Sequence, residues 1–267
     1  MKIGFLITAR LKSSRLPFKV LMDLNGETVI RRIIDRSKKI KDLSEIILCT
    51  STNPQDKPLI DEAKKNDIYY FNGEEKDVLQ RLLDAAKLFS LDYILGITAD
   101  NPLFTIHYSN RIIDEIKRNK YDYVKLEGLP LGAATYGIKV KALETVCEIK
   151  NIVDTEIWGY LLNRPNIFDI KNIIINDKLN KPDYRFTLDY KEDYEFLNKI
   201  YNKISFDEVI NLYDVMEFIE ENPEILKINN NCVQKDINED LKKKINKNFK
   251  KNRDEIISIK KKIYRES

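Results

Sequence analysis

Short apolar runs alternate with longer stretches of helical period along this chain. Residues 2–8, 45–50, 68–71, 92–98, 122–126, 135–140, 168–175 and 185–188 read as strands. Apolar side chains at helical spacing mark residues 28–40, 59–66, 78–89, 108–118, 157–163 and 191–201. Several of the strand runs are apolar throughout, which suits a sheet covered by helices on both faces. The β-α-β-α order predicts a three-layer α/β domain with a largely parallel sheet. Ligands of such sheets bind at the carboxyl ends of the strands. The loops after Thr8, Thr50, Thr98 and Leu188 are therefore the places to look for chemistry.

Residues 125–175 break the alternation. Gly128, Pro130, Gly132 and Gly137 precede a helical run and then a long β run, which reads as an inserted hairpin or arm. After Asn222-Pro223, a polar segment at 227–231 leads into a charged tail. Its Leu241, Ile245, Phe249, Ile256 and Ile263 predict one long helix.

Composition narrows the class. A hydrophobic fraction of 43% over 267 residues is enough for a substantial core and excludes disorder over most of the chain. No apolar run approaches the ~20 residues of a membrane span, and the N-terminal strand lacks the form of a signal peptide. Three scattered cysteines suit a reducing, cytoplasmic setting. A single histidine, His107, leaves little room for a His-rich metal site or a Ser–His–Asp triad; it reads as a surface or capping residue. The net charge of +3 is uneven: residues 235–267 carry +6 and the remaining 234 carry −3. The tail reads as a solvated helix packed on its own body or on a partner subunit, in preference to a nucleic-acid arm.

The useful positive charge of the body lies in the first loop, Ala9-Arg10-Leu11-Lys12-Ser13-Ser14-Arg15-Leu16-Pro17-Phe18-Lys19. Cations and fixed hydrogen-bond donors at a strand end suit a polyphosphate, whose transferring group they stabilise. The loop has neither the P-loop pattern nor GxGxxG.

Ala9-Arg10-x-x-Ser13-Ser14-Arg15-Leu16-Pro17-x-Lys19-x-Leu21, followed by Asn25-Gly26 and an amphipathic helix, resembles the opening of the sugar-acid cytidylyltransferases. The resemblance is strongest to the spore-coat polysaccharide branch. Further motifs follow in order: Thr50-Ser51-Thr52-Asn53-Pro54, Glu75-x-Asp77-Val78-Leu79-x-Arg81, Ile97-Thr98-Ala99-Asp100-Asn101-Pro102-Leu103 and Thr187-Leu188-Asp189-Tyr190-x-Glu192-Asp193. The resemblance covers about residues 1–225, with 226–267 as a charged helical extension. It implies a Rossmann-like nucleotidyltransferase fold of glycosyltransferase-A type, with a mixed, mostly parallel sheet. It implies a CTP-dependent enzyme that activates a sugar acid to a CMP-linked sugar with release of pyrophosphate. Arg10, Lys19 and Asp100 are then catalytic, with Ala9, Arg10, Ser14, Arg15, Lys19, Asp77 and Arg81 around the nucleotide. Asp100, in a motif that usually begins with Gly where this chain has Ala99, would bind Mg²⁺, with Asp189 as a second carboxylate. Two carboxylates at strand ends suit a hard cation.

Simpler roles compete at two places. Asp189 stands three residues before Glu192, as an N-cap would in a capping box. Asp77 reads equally as a helix cap with an ion pair to Arg81. The acceptor side is the least defined. Gly132, Tyr136 and Glu156 are its candidates, and a lone Trp158 is either a stacking platform or core. Many relatives of this type carry an acidic residue after the glycine and a His in the next helix, and this chain has neither. The resemblance also implies a homodimer through 125–175, which is read as the sugar-pocket and dimerisation region. Competing readings are a sugar-phosphate nucleotidyltransferase using another NTP and a non-catalytic nucleotide-sugar-binding protein.

Overall fold

The computed structural model describes residues 1–152, 158–234 and 237–265. Seven strands form the main sheet: β1 (Ile3–Thr8), β4 (Glu45–Ser51), β5 (Tyr69–Gly73), β6 (Tyr93–Thr98), β7 (Tyr123–Glu127), β8 (Tyr136–Lys139) and β9 (Ile170–Ile174). Their order is β5-β4-β1-β6-β8-β7-β9. Only β8 runs antiparallel to its neighbours; the other pairings are parallel. A small hairpin, β2 (Asp23–Leu24) and β3 (Glu27–Thr28), turns at Asn25-Gly26. Both turn residues have positive φ, which Asn tolerates and Gly adopts freely.

Alternation along the strands explains the two covered faces. Ile3, Phe5 and Ile7 of β1 point to one core and Leu6 to the other; β6 repeats this with Leu95 and Ile97 against Ile94. The first face is covered by α1 (Val29–Ser37), α2 (Lys57–Lys65), α4 (Ile106–Asn119), α7 (Lys191–Lys203) and α8 (Leu212–Glu221). The second carries α3 (Val78–Leu88), α5 (Val140–Ile149), α6 (Trp158–Leu162), α9 (Glu239–Lys251) and α10 (Arg253–Arg265). Helix α1 shows why such segments form: Val29, Ile30, Ile33 and Ile34 share one buried face, and Thr28 caps the start by accepting from the Arg31 N–H at 3.2 Å. Its Arg36 is buried, with its guanidinium donating to the Phe104 and Ile210 carbonyls. That arrangement satisfies a charge that burial would otherwise make costly.

Three expectations change. Residues 185–188 are extended but do not form a strand; a single parallel bridge joins Arg185 to Leu131. Residues 125–175 contribute β8 and β9 to the main sheet and α5 and α6 to its second face, so the described part is built into the domain instead of projecting as an arm. Gly137 allows this: a Cβ there would lie 2.6 Å from Ile112, so α4 packs directly on β8. The tail is two helices, broken at Asn252, and it lies on its own body. Ile245, Phe249 and Ile256 are buried in the second core, and Lys260 and Tyr264 both donate to Asp122, the latter two at 2.6 Å.

Candidate active site

The chain leaves β1 toward β4 on one side and later returns to β6 on the other. The crevice between these directions opens at the carboxyl ends of β1 and β6, where Thr8 and Thr98 are in register. Three segments meet there: the loop 9–21 after β1, Asp100 after β6, and the extended run 185–189.

The loop is anchored at its start. Ala9 donates its N–H to Cys49 O at 3.0 Å, and Leu11 N–H donates to the buried carboxylate of Asp56 at 2.7 Å. Asp56 also accepts from Ser51, so the Thr50-Ser51-Thr52-Asn53-Pro54 motif fixes the loop through this residue. Arg10, Ser14 and Arg15 are exposed, on the solvent side of the loop. At the far end Phe18 has φ 57°, a left-handed conformation that costs a non-glycine residue about 1–2 kcal/mol. Glycine would take it without that cost.

Lys19 follows at once and is the pivot of the site. Its Nζ lies 2.7 Å from Asp100 Oδ2 and 2.9 Å from Asp189 Oδ1. Asp100 Oδ1 accepts from Thr98 at 2.6 Å, and Asp100 O accepts from Leu188 N–H at 2.8 Å, which ties the two acidic segments together. Arg15 donates to Asp189 Oδ1 at 2.7 Å. Burial works against the Lys19 ammonium, but Asp100 and Asp189 override it and hold its pKa above the ordinary lysine value. Burial likewise disfavours the Asp189 carboxylate, and Lys19, Arg15 and Arg185 override that, holding it below the usual carboxylate range. The site therefore keeps both carboxylates converging on one cation.

The competition at Asp189 is resolved by one residue of register. The N-cap of α7 is Tyr190, and Asp193 accepts from the N–H groups of both Asp189 and Tyr190, at 2.9 and 3.0 Å. The Asp189 side chain takes no part in capping; it faces the cations. Asp77 does cap α3, accepting from Gln80 N–H at 3.1 Å, and it pairs with Lys150. Arg81 is only 1% exposed and donates to Glu74 O at 2.9 Å. It supports the 74–75 turn from beneath, while Glu75 of that turn lies 3.5 Å from Lys12 of the loop. Asp77 and Arg81 thus lie outside the Lys19 cluster and shape the loop's neighbour.

One acceptor candidate, Tyr136, is not an open group. Tyr136 is buried, its ring stacked over Gly96 so closely that a Cβ there would come within 2.4 Å. Burial pushes its hydroxyl pKa far up. Gly132 has φ 92° and its missing Cβ would lie 2.6 Å from Thr187 N and 2.8 Å from Asn101 Oδ1, so it lets the 129–133 turn pass against the run that carries Asp189. The absent side chain lets backbone pack against backbone there. Glu156 lies outside the described residues, as does the side chain of Trp158. His107 is exposed in the first turn of α4, its ring against Tyr108. Asp56, Arg185 and Asp193 were missed; the spacing of Arg185, Asp189 and Asp193 four apart is the signal that would have found the latter two.

A switch-point crevice lined by a basic loop and two converging carboxylates suits a nucleotidyltransferase. The model of the cytidylyltransferase family matches residues 5–214, and the chain belongs to that family. It is 31% identical to an uncharacterized protein of Methanocaldococcus jannaschii over 244 residues, covering 90% of this chain and 99% of the other. It is 25% identical to the Bacillus subtilis spore coat polysaccharide biosynthesis protein SpsF over 83% of this chain and 95% of that one. A cytidylyltransferase structure from Leptospira borgpetersenii superposes with a TM-score of 0.79 at 25% identity, covering 89% of this chain and all of that one. No helix among the described residues is long and apolar enough to cross a membrane.

Proposed function

We propose that this enzyme transfers a cytidylyl group from CTP to an oxygen of a sugar-acid acceptor and releases pyrophosphate, as a step in surface polysaccharide or glycan synthesis. The observation that carries the reading is Lys19, held between Asp100 and Asp189 at the mouth of the switch-point crevice. The acceptor hydroxyl gives up its proton to solvent and attacks the α-phosphorus, a P–O bond forms, and the bond to pyrophosphate breaks. Catalysis of this kind is mostly positioning and charge stabilisation. In this reading Arg10 and Arg15 neutralise the triphosphate and Ser14 lines its path, while Ala9, bonded to Cys49, holds the base of the loop.

The donor set fits a divalent cation. Two carboxylate oxygens already converge on one positive group, and among the described residues no cluster of three or more His, Cys, Asp or Glu side chains completes a cage. A sparse oxygen site of this kind suits Mg²⁺, which keeps waters and takes phosphate oxygens. When bound, the ion would neutralise charge on the phosphates. Asp100 and Asp189 would hold it, which frees Lys19 and Arg15 to turn to the triphosphate. We further propose a homodimer; β9 is an edge strand, with Ile174 64% exposed.

The test is pyrophosphate release with each of four NTPs, Mg²⁺, and panels of sugar acids and sugar phosphates. Release with CTP and a sugar acid is expected. Release only with another NTP or a sugar phosphate would replace the substrate assignment.

A further inference from the structure

The two oxygens of Asp189 have different kinds of partner. Oδ1 meets Lys19 and Arg15, both on the phosphate-side loop. Oδ2 accepts from Arg185 at 3.1 Å. Arg185 is 8% exposed and is itself fixed: its Nε and an Nη donate to the two oxygens of Asp193 at 2.8 and 3.0 Å, the bidentate match of guanidinium and carboxylate. Asp193 is fully buried and is held by the backbone N–H groups at the start of α7. So Oδ2 is bound to a rigid group and Oδ1 to exchangeable ones.

The socket around Arg185 is closed from beyond the family-matched residues. Asn229, 3% exposed, donates to Arg185 O and to Asp193 Oδ1 at 3.0 and 3.1 Å. Gln234 accepts from the remaining Arg185 nitrogen at 3.1 Å. Tyr190, whose ring lies under both Arg15 and Arg185, anchors the same segment through a bond from its hydroxyl to Val233 O at 3.2 Å.

We propose that Arg185 is a positioning residue for Asp189, and that the segment 229–234 completes its socket. The proposal rests on the metal reading of the preceding subsection. Arg185 keeps Oδ1 turned toward the crevice when Lys19 and Arg15 leave for the triphosphate, so the carboxylate does not need to be reordered as a cation arrives. Groups that orient a metal ligand in this way are worth about 10–100-fold in metal affinity.

The experiment compares CTP binding by calorimetry with and without Mn²⁺, in the full-length protein without acceptor. Arg185→Lys keeps the charge but loses the fork. It is expected to weaken Mn²⁺-dependent CTP binding by about 10-fold or more, while metal-free CTP binding changes by less than about 2-fold. Gln234→Met is expected to give a smaller loss of the same kind, about 3-fold, with an unchanged melting temperature. A merely structural role would weaken both modes together. Equal losses in the two modes, or wild-type Mn²⁺ dependence, would overturn the proposal. If Arg185→Lys does not fold, Gln234→Met decides alone by the same criterion. If Mn²⁺ leaves CTP binding by the wild-type protein unchanged, the metal reading falls and takes this proposal with it.

Discussion

The loop 9–21 and the run 185–193 supply opposite sides of one crevice, and they are built differently. The loop exposes Arg10, Ser14 and Arg15 and contains Phe18 in a left-handed conformation, 47% exposed. The run buries Arg185, Thr187, Asp189 and Asp193 and is bonded to Leu131, Asp100 and Asn229. The first holds charges that can change partner; the second holds charges that cannot. On the proposed reading, the site exchanges a lysine for a divalent cation and a triphosphate and uses both kinds.

Changing Asp100, which bonds Lys19 of the loop and Leu188 of the run, should have the largest effect. Asp100→Asn keeps the shape but removes a charge, and kcat is expected to fall by about 10³-fold or more, with an unchanged circular dichroism spectrum and melting temperature. A rate within a few-fold of wild type would remove Asp100 from the chemistry. Lys19→Gln comes next. It removes the ammonium that the proposed mechanism turns to the triphosphate, so kcat should fall by about 10²-fold. Arg15→Gln leaves Lys19 and Arg185 on Asp189. It is expected to raise KM for CTP by about 10-fold with a smaller change in kcat, the mark of an interaction made equally in ground and transition state.

The same contrast governs what could be read from sequence. Strands β1, β4 and β6 were legible because each is buried on both faces and so has an apolar centre. The β2–β3 hairpin was not, since each strand has only two residues. Helix α5 follows β8 without a break, so the apolar run through Val140 hides the change of period. Residues 185–188 have strand composition, but Phe186 and Leu188 bond to Leu131 and Asp100 instead of a ladder. The basic loop was found from residue types, and Asp100 from the family resemblance that its motif carries. The rigid side was not, because a buried Arg185 among acidic residues looks in sequence like an ordinary charged helix start. The choice at Asp189 turned on whether the cap is residue 189 or 190, which spacing does not settle.

The smallest effect sharpens the loop side. Phe18→Gly removes left-handed strain of about 1–2 kcal/mol and gives back about 0.5–1 kcal/mol of chain entropy. The denaturation midpoint should rise by the equivalent of up to about 1 kcal/mol, with an unchanged m-value. A large loss would show that the ring packs in a way its exposure does not suggest.

The central claim is that this crevice breaks CTP between its α- and β-phosphates. Radiolabelled CTP tests it directly, in the presence of Mg²⁺ and an acceptor that supports pyrophosphate release. With label at the α-phosphorus, the sugar product should carry it; with label at the γ-phosphorus, it should appear only in pyrophosphate. Transfer of γ-label to the acceptor, or its release as inorganic phosphate, would contradict the account.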